Sequence, residues 1–359
     1  MKITLKRTEE QVELVKAMAS RNREVAYEAQ MALAEFIGPV LAEVVNQAPT
    51  LSNLFTNFQF NDMDSPSIPL DLYYDVTAPD YVKVYSTSVP GGLPTNTVTP
   101  TASEMKFTTY RLDSAVDFDK RYAAKSRLDV VGKSFTRIAQ EILLRQESTS
   151  ANLILGALYA ASTNGVAHTQ AANGNTLILD DFNKLLTKAK RINTAWTGSA
   201  PEGGRIKGIT DLIMSPEMVQ GLRSMAYNPI NTKGSKNDIP ATDEMRNAIY
   251  NNGGVPEFYG ISIMEINELG TVGSEKQKFV KTWNALSINN DDDLVIGIDR
   301  SRESLFRAVA QDAETGSELN LSADDQYSVR QQKIGYYGSM EEGRMVLDNR
   351  VLTGIRVSI

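Results

Sequence analysis

One short motif in the chain resembles part of a ligand-binding pattern. Val131-Gly132-Lys133-Ser134 matches the end of a phosphate-binding loop, which wraps phosphates in backbone amides. The complete pattern needs a glycine five positions before Gly132, but Arg127 stands there, and the segment lies inside a helical pattern instead of following a buried strand. We therefore expect no phosphate or cofactor site here.

Carboxylates are consecutive at Asp291, Asp292 and Asp293, and oxygen ligands of this type suit calcium or magnesium. The spaced ligands, central glycine and closing glutamate of a calcium loop are missing, so the sequence predicts a solvated turn. Asp312 and Glu314 are interpreted in the same way, as loop surface. No metal site is expected.

Nucleophilic and metal chemistry is further limited by composition. The chain has no cysteine and a single histidine, His168, which excludes thiolate nucleophiles, disulfides and any motif that needs two imidazoles. His168 lies in a small polar segment, and no Gly-x-Ser-x-Gly turn is present for it to serve as a general base. No catalytic constellation is visible in the sequence, and we expect a protein that is not an enzyme.

Basic residues are concentrated in one region: Lys120, Arg121, Lys125, Arg127, Lys133 and Arg137. A run of this kind is ordinarily a solvated surface. The functional hypothesis is that Arg121, Lys125 and Arg127 meet carboxylates of a neighbouring copy of the chain. The candidate carboxylates are Glu9, Glu10 and Glu13 at the N-terminus, where such pairs would set register and orientation more than affinity.

Size and charge indicate a globular protein. The chain has 359 residues, 42% of them hydrophobic, and a formal net charge of -7, which disfavours tight coating of nucleic acid. No apolar run is long enough to cross a bilayer, and the N-terminus has no signal-peptide pattern. Cytosol-like surroundings are expected.

Helical periodicity dominates the N-terminal part of the chain. Thr8-Glu9-Glu10-Gln11 has the form of a capping box, and apolar residues then recur at helical spacing up to Gly38-Pro39, where we expect the helix to break. A shorter helix is predicted from Pro39 to a point before Pro49. The apolar stripe of the N-terminal helix is mostly Ala and Val, which favours a helix that lies on a partner over one that anchors a core.

A long hairpin is predicted next, with arms at Ile68 to Thr87 and Met105 to Phe118. Its uncharged tip begins Val89-Pro90-Gly91-Gly92-Leu93 and continues with Pro94-Thr95. An isolated two-stranded ribbon is marginal in water, so another surface must support it. We expect Val89, Pro90, Gly91, Gly92 and Leu93 to contact another copy of the chain.

One long helix follows, from Asp129 or Ser126 to about Ser162, with no proline before Pro201. A mixed pattern comes after it, with predicted helices at Asp180 to Trp196, Pro216 to Ala226 and Asp243 to Tyr250, an exposed loop at Asn228 to Asp238, and strands at Ile209 to Met214, Ile261 to Ile266, Lys278 to Leu286, Leu294 to Ile298 and Leu305 to Val309. Two closing strands, Tyr327 to Gly338 and Arg344 to Val357, are predicted to join at a turn over residues 339–343.

This order of elements resembles the major capsid proteins of tailed double-stranded-DNA bacteriophages, with the Hong Kong 97 type of fold. Two strings add to the resemblance: Gln332-Lys333-Ile334-Gly335-Tyr336-Tyr337-Gly338 and Val346-Leu347-Asp348-Asn349-Arg350. The resemblance implies an α+β protein with an N-terminal helical arm (1–63), an extended β-hairpin loop (64–112), a peripheral domain with a long spine helix (113–200), an α/β axial domain (201–319) and closing strands of the peripheral domain (320–359).

The implied function is that of a shell protein without cofactors. Copies would self-assemble as pentamers and hexamers into an icosahedral capsid that encloses double-stranded DNA without reading its sequence, in a virion assembled in the cytoplasm of a bacterial host. The absence of a long extra N-terminal segment leads us to expect a separate scaffolding protein or none, and portal and decoration proteins are further possible partners; no membrane is involved. Lys83, Lys106 and Asn349 are of the types that some family members cross-link, but we expect ordinary surface roles for them.

Two other functions remain open at this stage. An encapsulin-like compartment would share the fold but hold enzyme cargo. A hydrolase or binding enzyme built on the α/β segment would instead show a convergent polar pocket and act as a small oligomer.

Overall fold

A computed structural model describes the chain at residues 8–47, 51–61, 64–69, 104–163, 168–174, 177–197, 208–227, 257–258, 260–267, 269, 271–272, 275–276, 292–301, 303–312, 317–324 and 331–358. The hairpin tip, most of its first arm, the helix at Asp243 to Tyr250, the loop at Asn228 to Asp238 and the strand at Lys278 to Leu286 lie outside these residues. The chain divides into two compact units. Unit 1 comprises residues 1–66, 106–150 and 306–345, and unit 2 comprises residues 67–105, 151–305 and 346–359.

Helices and strands both contribute, which confirms the α+β class. The α-helices are α1 (Glu9–Ala17), α2 (Arg23–Gln47), α3 (Lys120–Ala124), α4 (Leu128–Thr163), α5 (Leu179–Thr197) and α6 (Pro216–Tyr227). The strands are β1 (Thr56–Asn61), β2 (Ser67–Pro69), β3 (Glu104–Lys106), β4 (Thr109–Asp119), β5 (Thr169–Ala171), β6 (Asp211–Met214), β7 (Glu257–Phe258), β8 (Ile261–Glu265), β9 (Thr271–Val272), β10 (Glu275–Lys276), β11 (Asp292–Ile298), β12 (Leu305–Gln311), β13 (Asn320–Asp324), β14 (Lys333–Val346) and β15 (Leu352–Ser358).

Unit 1 is built on a five-stranded sheet in the order β1-β12-β14-β13, with β4 pairing β14. β4 runs antiparallel to β14 from Thr109 opposite Gly343 to Asp119 opposite Lys333. Phe135 and Tyr336 are fully buried and meet edge to face at 5.0 Å between ring centroids. These aromatic rings join the first part of α4 to the sheet.

The N-terminal helices break earlier than the sequence indicated. Thr8 caps α1 by accepting a hydrogen bond from the Gln11 amide at 3.4 Å, as the capping box predicts. The chain then turns at residues 18–22, and α2 continues without interruption through Pro39, so the predicted break at Gly38-Pro39 is wrong. Gly38 is buried against β13, where a Cβ added to it would lie 3.8 Å from Leu321 Cβ, while Pro39 is exposed. Packing of α2 on the sheet therefore outweighs the helix-breaking tendency of the proline.

The long helix is confirmed, and at 36 residues α4 extends for about 54 Å. Within unit 1 it buries Val131, Phe135, Ile138 and Ile142 on one face at helical spacing. The residues of the phosphate-loop ending lie in its second turn, where Ser134 bonds the Val130 carbonyl at 3.0 Å. A helix at this position leaves no strand-to-helix loop to hold a phosphate.

Unit 2 contains a six-stranded sheet in the order β5-β15-β11-β6-β8-β7. β11 is buried along its whole length and pairs antiparallel with β15 on one side and β6 on the other. Phe182 of α5 and Leu222 of α6 belong to the apolar cluster of this unit. β2 pairs with β3, so the start of the predicted return arm, Met105 to Phe118, lies at the base of the hairpin and not near its tip. The rest of that arm forms β4 and pairs with β14 in unit 1, so its assignment to the hairpin is wrong, because the long strand β14 offers it a paired edge.

The turn between the two C-terminal strands comes later than predicted. β14 runs unbroken from Lys333 to Val346, through the residues 339–343 expected to form a turn. The turn comes instead after Val346, where Asp348 caps a short 3₁₀ helix by accepting a bond from the Arg350 amide at 2.9 Å. The alternation assigned to one strand from Arg344 to Val357 is therefore wrong, because β14 and β15 are separate strands.

Candidate functional site

The predicted basic site is exposed on unit 1. Arg121 in α3, and Lys125 and Arg127 between α3 and α4, all have exposed side chains. Asp119 caps α3 by accepting a bond from the Arg121 amide at 2.9 Å, and its other carboxylate oxygen lies 3.1 Å from Arg121 Nε. The backbone bond, with the charges of Arg121 and Lys333, lowers the pKa of Asp119 below its usual value. One of the three basic groups thus has a partner within its own chain, at a site open to solvent.

The predicted acidic partners are exposed as well. Glu9, Glu10 and Glu13 lie on α1, whose buried Val15 belongs to the same apolar cluster as Ala123 of α3. Both halves of the predicted contact are therefore on the surface of one unit, on helices that touch each other. Val89, Pro90, Gly91, Gly92 and Leu93 lie outside the described residues.

Charge on the helices of unit 1 is segregated by segment. Residues 8–47 contain seven glutamates against Lys16, Arg21 and Arg23, a net charge of -4. Residues 120–145 contain seven lysines and arginines against Asp129 and Glu141, a net charge of +5. A chain whose total net charge is -7 thus presents one acidic and one basic helical segment, which is the pattern needed for attraction between copies.

A buried polar cluster in unit 1 was not predicted from the sequence. We call it the Glu342 cluster, and its members are Tyr110, Gln146, Arg307, Glu342 and Arg344. Glu342 accepts bonds from Tyr110 Oη at 2.6 Å, Gln146 Nε2 at 3.1 Å and Arg307 Nε at 3.0 Å. Its side chain also pairs with Arg344 Nη2 at 3.2 Å, and both of these side chains are almost completely buried. The cluster connects β4, β12 and β14 to the middle of α4.

Electrostatics within the Glu342 cluster favour its charged state. Burial alone would raise the pKa of Glu342, but the guanidinium groups of Arg344 and Arg307 and the bond from Tyr110 outweigh it and hold the pKa below its usual value. Burial, and then the Glu342 charge, raise the pKa of Tyr110 to about 12. Arg344 also bonds the Gln146 carbonyl at 3.1 Å and lies over the Phe55 ring at 5.6 Å. The side chains thus bond each other inside unit 1, and Tyr110 is the only member of the cluster that is partly exposed.

The sequence held two weak signals for this cluster. Gln146 continues the apolar face of α4 one turn after Ile142, which marks a polar side chain among buried ones. Glu342 and Arg344 are two residues apart, so in a continuous strand they lie on the same face. The assumed turn at residues 339–343 hid the second signal.

The aspartate run is buried, and the prediction of a solvated turn is wrong for Asp292 and Asp293. Both side chains are at most 2% exposed at the start of β11. Asp293 accepts a hydrogen bond from the Ser215 hydroxyl and one from the Leu294 amide at 2.7 Å. Ser215 Oγ in turn accepts from the Met218 amide at 3.2 Å and so caps α6. Asp293 therefore ties the start of α6 to the central strand of unit 2.

His168 is also buried, with its Nδ1 2.9 Å from the Leu352 carbonyl oxygen. This contact, together with the bond from the Gly354 amide to the His168 carbonyl, holds β5 beside β15. Within the described residues no group of three or more His, Asp or Glu side chains is placed to hold a metal ion. None of the described helices combines the length and apolar character needed to cross a membrane.

Unit 1 contains a small cavity of about 130 Å³, whose lining includes Arg111, Asp312, Glu318 and Glu341. Pockets for small molecules usually measure about 300–1,000 Å³. This cavity is therefore smaller than the usual site for a small molecule.

The fold is similar to those of solved phage proteins. The capsid of the cyanophage P-SCSP1u matches 84% of this chain and 86% of its own at 14% identity and a TM-score of 0.50. A structure from Microbacterium phage Oxtober96 matches 86% of this chain and 90% of its own at 11% identity and a TM-score of 0.51. The holo-SrpI encapsulin complex from Synechococcus elongatus PCC 7942 matches 70% of this chain and 75% of its own at 14% identity, with a TM-score of 0.40 that is too low to argue from.

Sequence comparison gives no corresponding match: no protein-family model fits the chain, and no curated protein matches it. The structural similarity extends over more than four fifths of the chain. The chain therefore has the fold of a tailed-phage major capsid protein, which confirms the resemblance drawn from the order of its elements.

Proposed function

We propose that this chain is a major capsid protein that self-assembles as pentamers and hexamers into an icosahedral shell around double-stranded DNA. The observation that carries the proposal is the fold similarity to the cyanophage capsid over more than four fifths of both chains. The proposal assigns the chain a structural role in a virion that is assembled in the cytoplasm of a bacterial host. The proposal includes the division of the chain into arm, hairpin, peripheral and axial segments.

The physics of shell building supports the proposal. Identical copies tile a closed surface through heterologous contacts, in which one surface patch meets a different patch on the next copy. Such contacts need two complementary patches on every chain. Unit 1 carries an acidic and a basic helical segment, and exposed charges of opposite sign on different helices meet that need.

Chromatography of the purified chain, combined with negative-stain microscopy, tests the proposal. The chain is expressed alone and then with scaffold candidates from its own genetic locus. We expect ring-shaped capsomers or closed shells under at least one condition, and DNA inside shells that form in the phage host. Protein cargo instead of DNA would indicate a compartment, whereas a stable monomer or dimer under both conditions would contradict the shell function.

The contact proposed from the sequence has its own test. Exchanging Arg121, Lys125 and Arg127 for glutamate should lower the yield of assembled particles, because these groups would then repel Glu9, Glu10 and Glu13 of a neighbouring copy. Adding Glu9→Lys, Glu10→Lys and Glu13→Lys to the same chain should restore the yield. Unchanged assembly of the first variant would remove this contact from the proposal and leave the shell function intact.

A further inference from the structure

Helix α2 carries an exposed apolar stripe, which we call the α2 stripe: Val25, Ala32, Phe36 and Val40. At 100° per residue these four side chains fall within about 80° of arc. Val25 and Val40 are each 42% exposed and Phe36 is 57% exposed, an unusual position for a phenylalanine. Exposed Glu28 and Glu35 lie along one border of the stripe. The face is therefore apolar from Val25 to Val40, ends at exposed Glu43, and is acidic along one edge.

Helix α4 carries a stripe of the opposite charge, which we call the α4 stripe: Lys133, Arg137, Gln140 and Leu144. All four side chains are exposed and fall within about 60° of arc, on the side of the helix away from buried Phe135 and Ile142. The stems of Lys133 and Arg137 are aliphatic, so such side chains cover apolar surface while their charged ends stay near water or a carboxylate. Leu144 adds an apolar contact at 39% exposure.

We infer that the α2 stripe of one copy packs on the α4 stripe of a second copy of the chain. This inference rests on the proposed function, because a shell requires heterologous contacts between copies. With the two helices aligned in the same direction, Phe36 lies against Leu144, and Glu28 lies between Lys133 and Arg137. The same alignment places Glu35 level with residue 143, between Glu141 and Arg145, whose side chains are both exposed, so the attraction comes mainly from Glu28.

A second copy fits this surface through charge. The α2 stripe lies within a segment of net charge -4 and the α4 stripe within one of net charge +5, on the same chain. Each copy therefore offers both halves of the contact and can accept one neighbour on each side. Glu9, Glu10 and Glu13 lie on α1, which packs on α2 in the same unit.

A matched pair of substitutions on α2 tests the apolar part of the proposed contact. Phe36→Ser should lower the yield of assembled particles at least tenfold, whereas Tyr27→Ser should leave it within twofold. Tyr27 is 40% exposed on the same helix, but it lies on the opposite flank, outside the stripe. Since both side chains are exposed, neither change should lower the melting temperature of the unassembled chain by more than a few degrees. Equal yields from the two variants would overturn the inference.

Exchange of the charges on α2 and α4 tests the polar part of the proposed contact. Glu28→Lys with Glu35→Lys should reduce assembly, and so should Lys133→Glu with Arg137→Glu, whereas the chain that carries all four changes should assemble again. A surface that acts only through folding gives no such recovery. Failure of the fourfold variant while both double variants remain folded would overturn the inference.

Cysteine pairs give a direct readout because the natural chain has none. Phe36→Cys with Leu144→Cys should form disulfide-linked chains in assembled particles under mild oxidation, and each single variant should stay largely unlinked. Assembled particles without linkage would contradict the pairing of these stripes. Wild-type chains that form neither capsomers nor shells would contradict the proposed function itself, and the inference would fall with it.

Discussion

Buried carboxylates make different contributions to stability in the two units, and Asp293 is the clearer case. Burial raises its pKa to about 6, although the bonds from Ser215 and Leu294 act in the opposite direction. In the folded chain the carboxyl therefore holds its proton more tightly than in the unfolded chain. Stability falls as the pH rises from about 4 to about 6 and is not changed further by this group above that range.

We expect Asp293→Asn to be more stable than the wild type at pH 7.5. The asparagine stays neutral and keeps an oxygen to accept from the Leu294 amide, so the cost of burying a charge disappears. The upper limit of the gain is about 3 kcal/mol, and it should shrink towards zero at pH 5. Denaturant unfolding at pH 5, 6 and 7.5 measures it. A difference between the two proteins that does not change with pH would contradict the assignment.

The stability that Glu342 contributes depends on pH in the opposite direction. The guanidinium groups hold the pKa of Glu342 below its usual value in the folded chain. Its stabilising effect is therefore complete above the pKa that the carboxyl has in the unfolded chain, and it is lost as the pH falls through the pKa in the folded chain. Glu342→Gln leaves Arg307 and Arg344 buried without their carboxylate and should destabilise the chain by about 3–5 kcal/mol. Glu341→Gln, one residue away and partly exposed, should change stability by less than about 0.5 kcal/mol. Similar unfolding midpoints for the two variants would show that the Glu342 cluster adds little.

Two glycines show how the same substitution depends on the element that holds it. Gly156 in α4 has open space where the methyl group of an alanine would lie, so Gly156→Ala should stabilise unit 2 by about 0.5–1 kcal/mol through helix propensity. Gly297 in β11 has no such open space, because a Cβ there would lie 2.8 Å from Ile209 Cδ1 and 2.9 Å from Thr353 Oγ1. We expect Gly297→Ala to lower the melting temperature and Gly156→Ala to raise it in a thermal scan. A rise for both would contradict the packing described around β11.

Elements that depend on local signals could be predicted from the sequence. The helix α4 is visible because apolar residues recur at helical spacing and proline is absent, and the starts of α1 and α6 are visible because Thr8 and Ser215 are good caps. The exposure of the basic side chains of the candidate site, Arg121 among them, could be predicted because charged residues ordinarily lie at the surface.

Elements that depend on distant partners could not be predicted. Residues 339–343 have turn-like composition, but Glu342 remains in a strand because Arg307, 35 positions earlier, neutralises it. Asp293 has loop-like neighbours, but its bond to Ser215, 78 positions earlier, places it in the core of unit 2. Gly38-Pro39 resembles a break, but β13, nearly 300 positions later, packs on α2 at that point. In each case a contact distant in sequence outweighed the local preference.

At the scale of the whole molecule, two electrostatic effects on assembly oppose each other. Every copy has a net charge of -7, so copies repel at long range, and added salt weakens this repulsion. The proposed contacts join the acidic segment 8–47 of one copy to the basic segment 120–145 of another, and added salt weakens that attraction as well. Contact pairs are a few ångströms apart, whereas the net charge is spread over the whole chain, so the attraction should dominate once copies meet.

We therefore expect the fraction of chain in capsomers or shells to fall as NaCl is raised from about 0.05 to 0.5 M, as the screening length shortens from well above 10 Å to well below it. Light scattering or sedimentation at fixed protein concentration measures the fraction. The variant with Glu28→Lys and Glu35→Lys serves as the control, because it lacks part of the attraction and should depend less on salt. Assembly that increases with salt in the wild type would show that net repulsion governs association and would contradict the attraction between the acidic and basic segments.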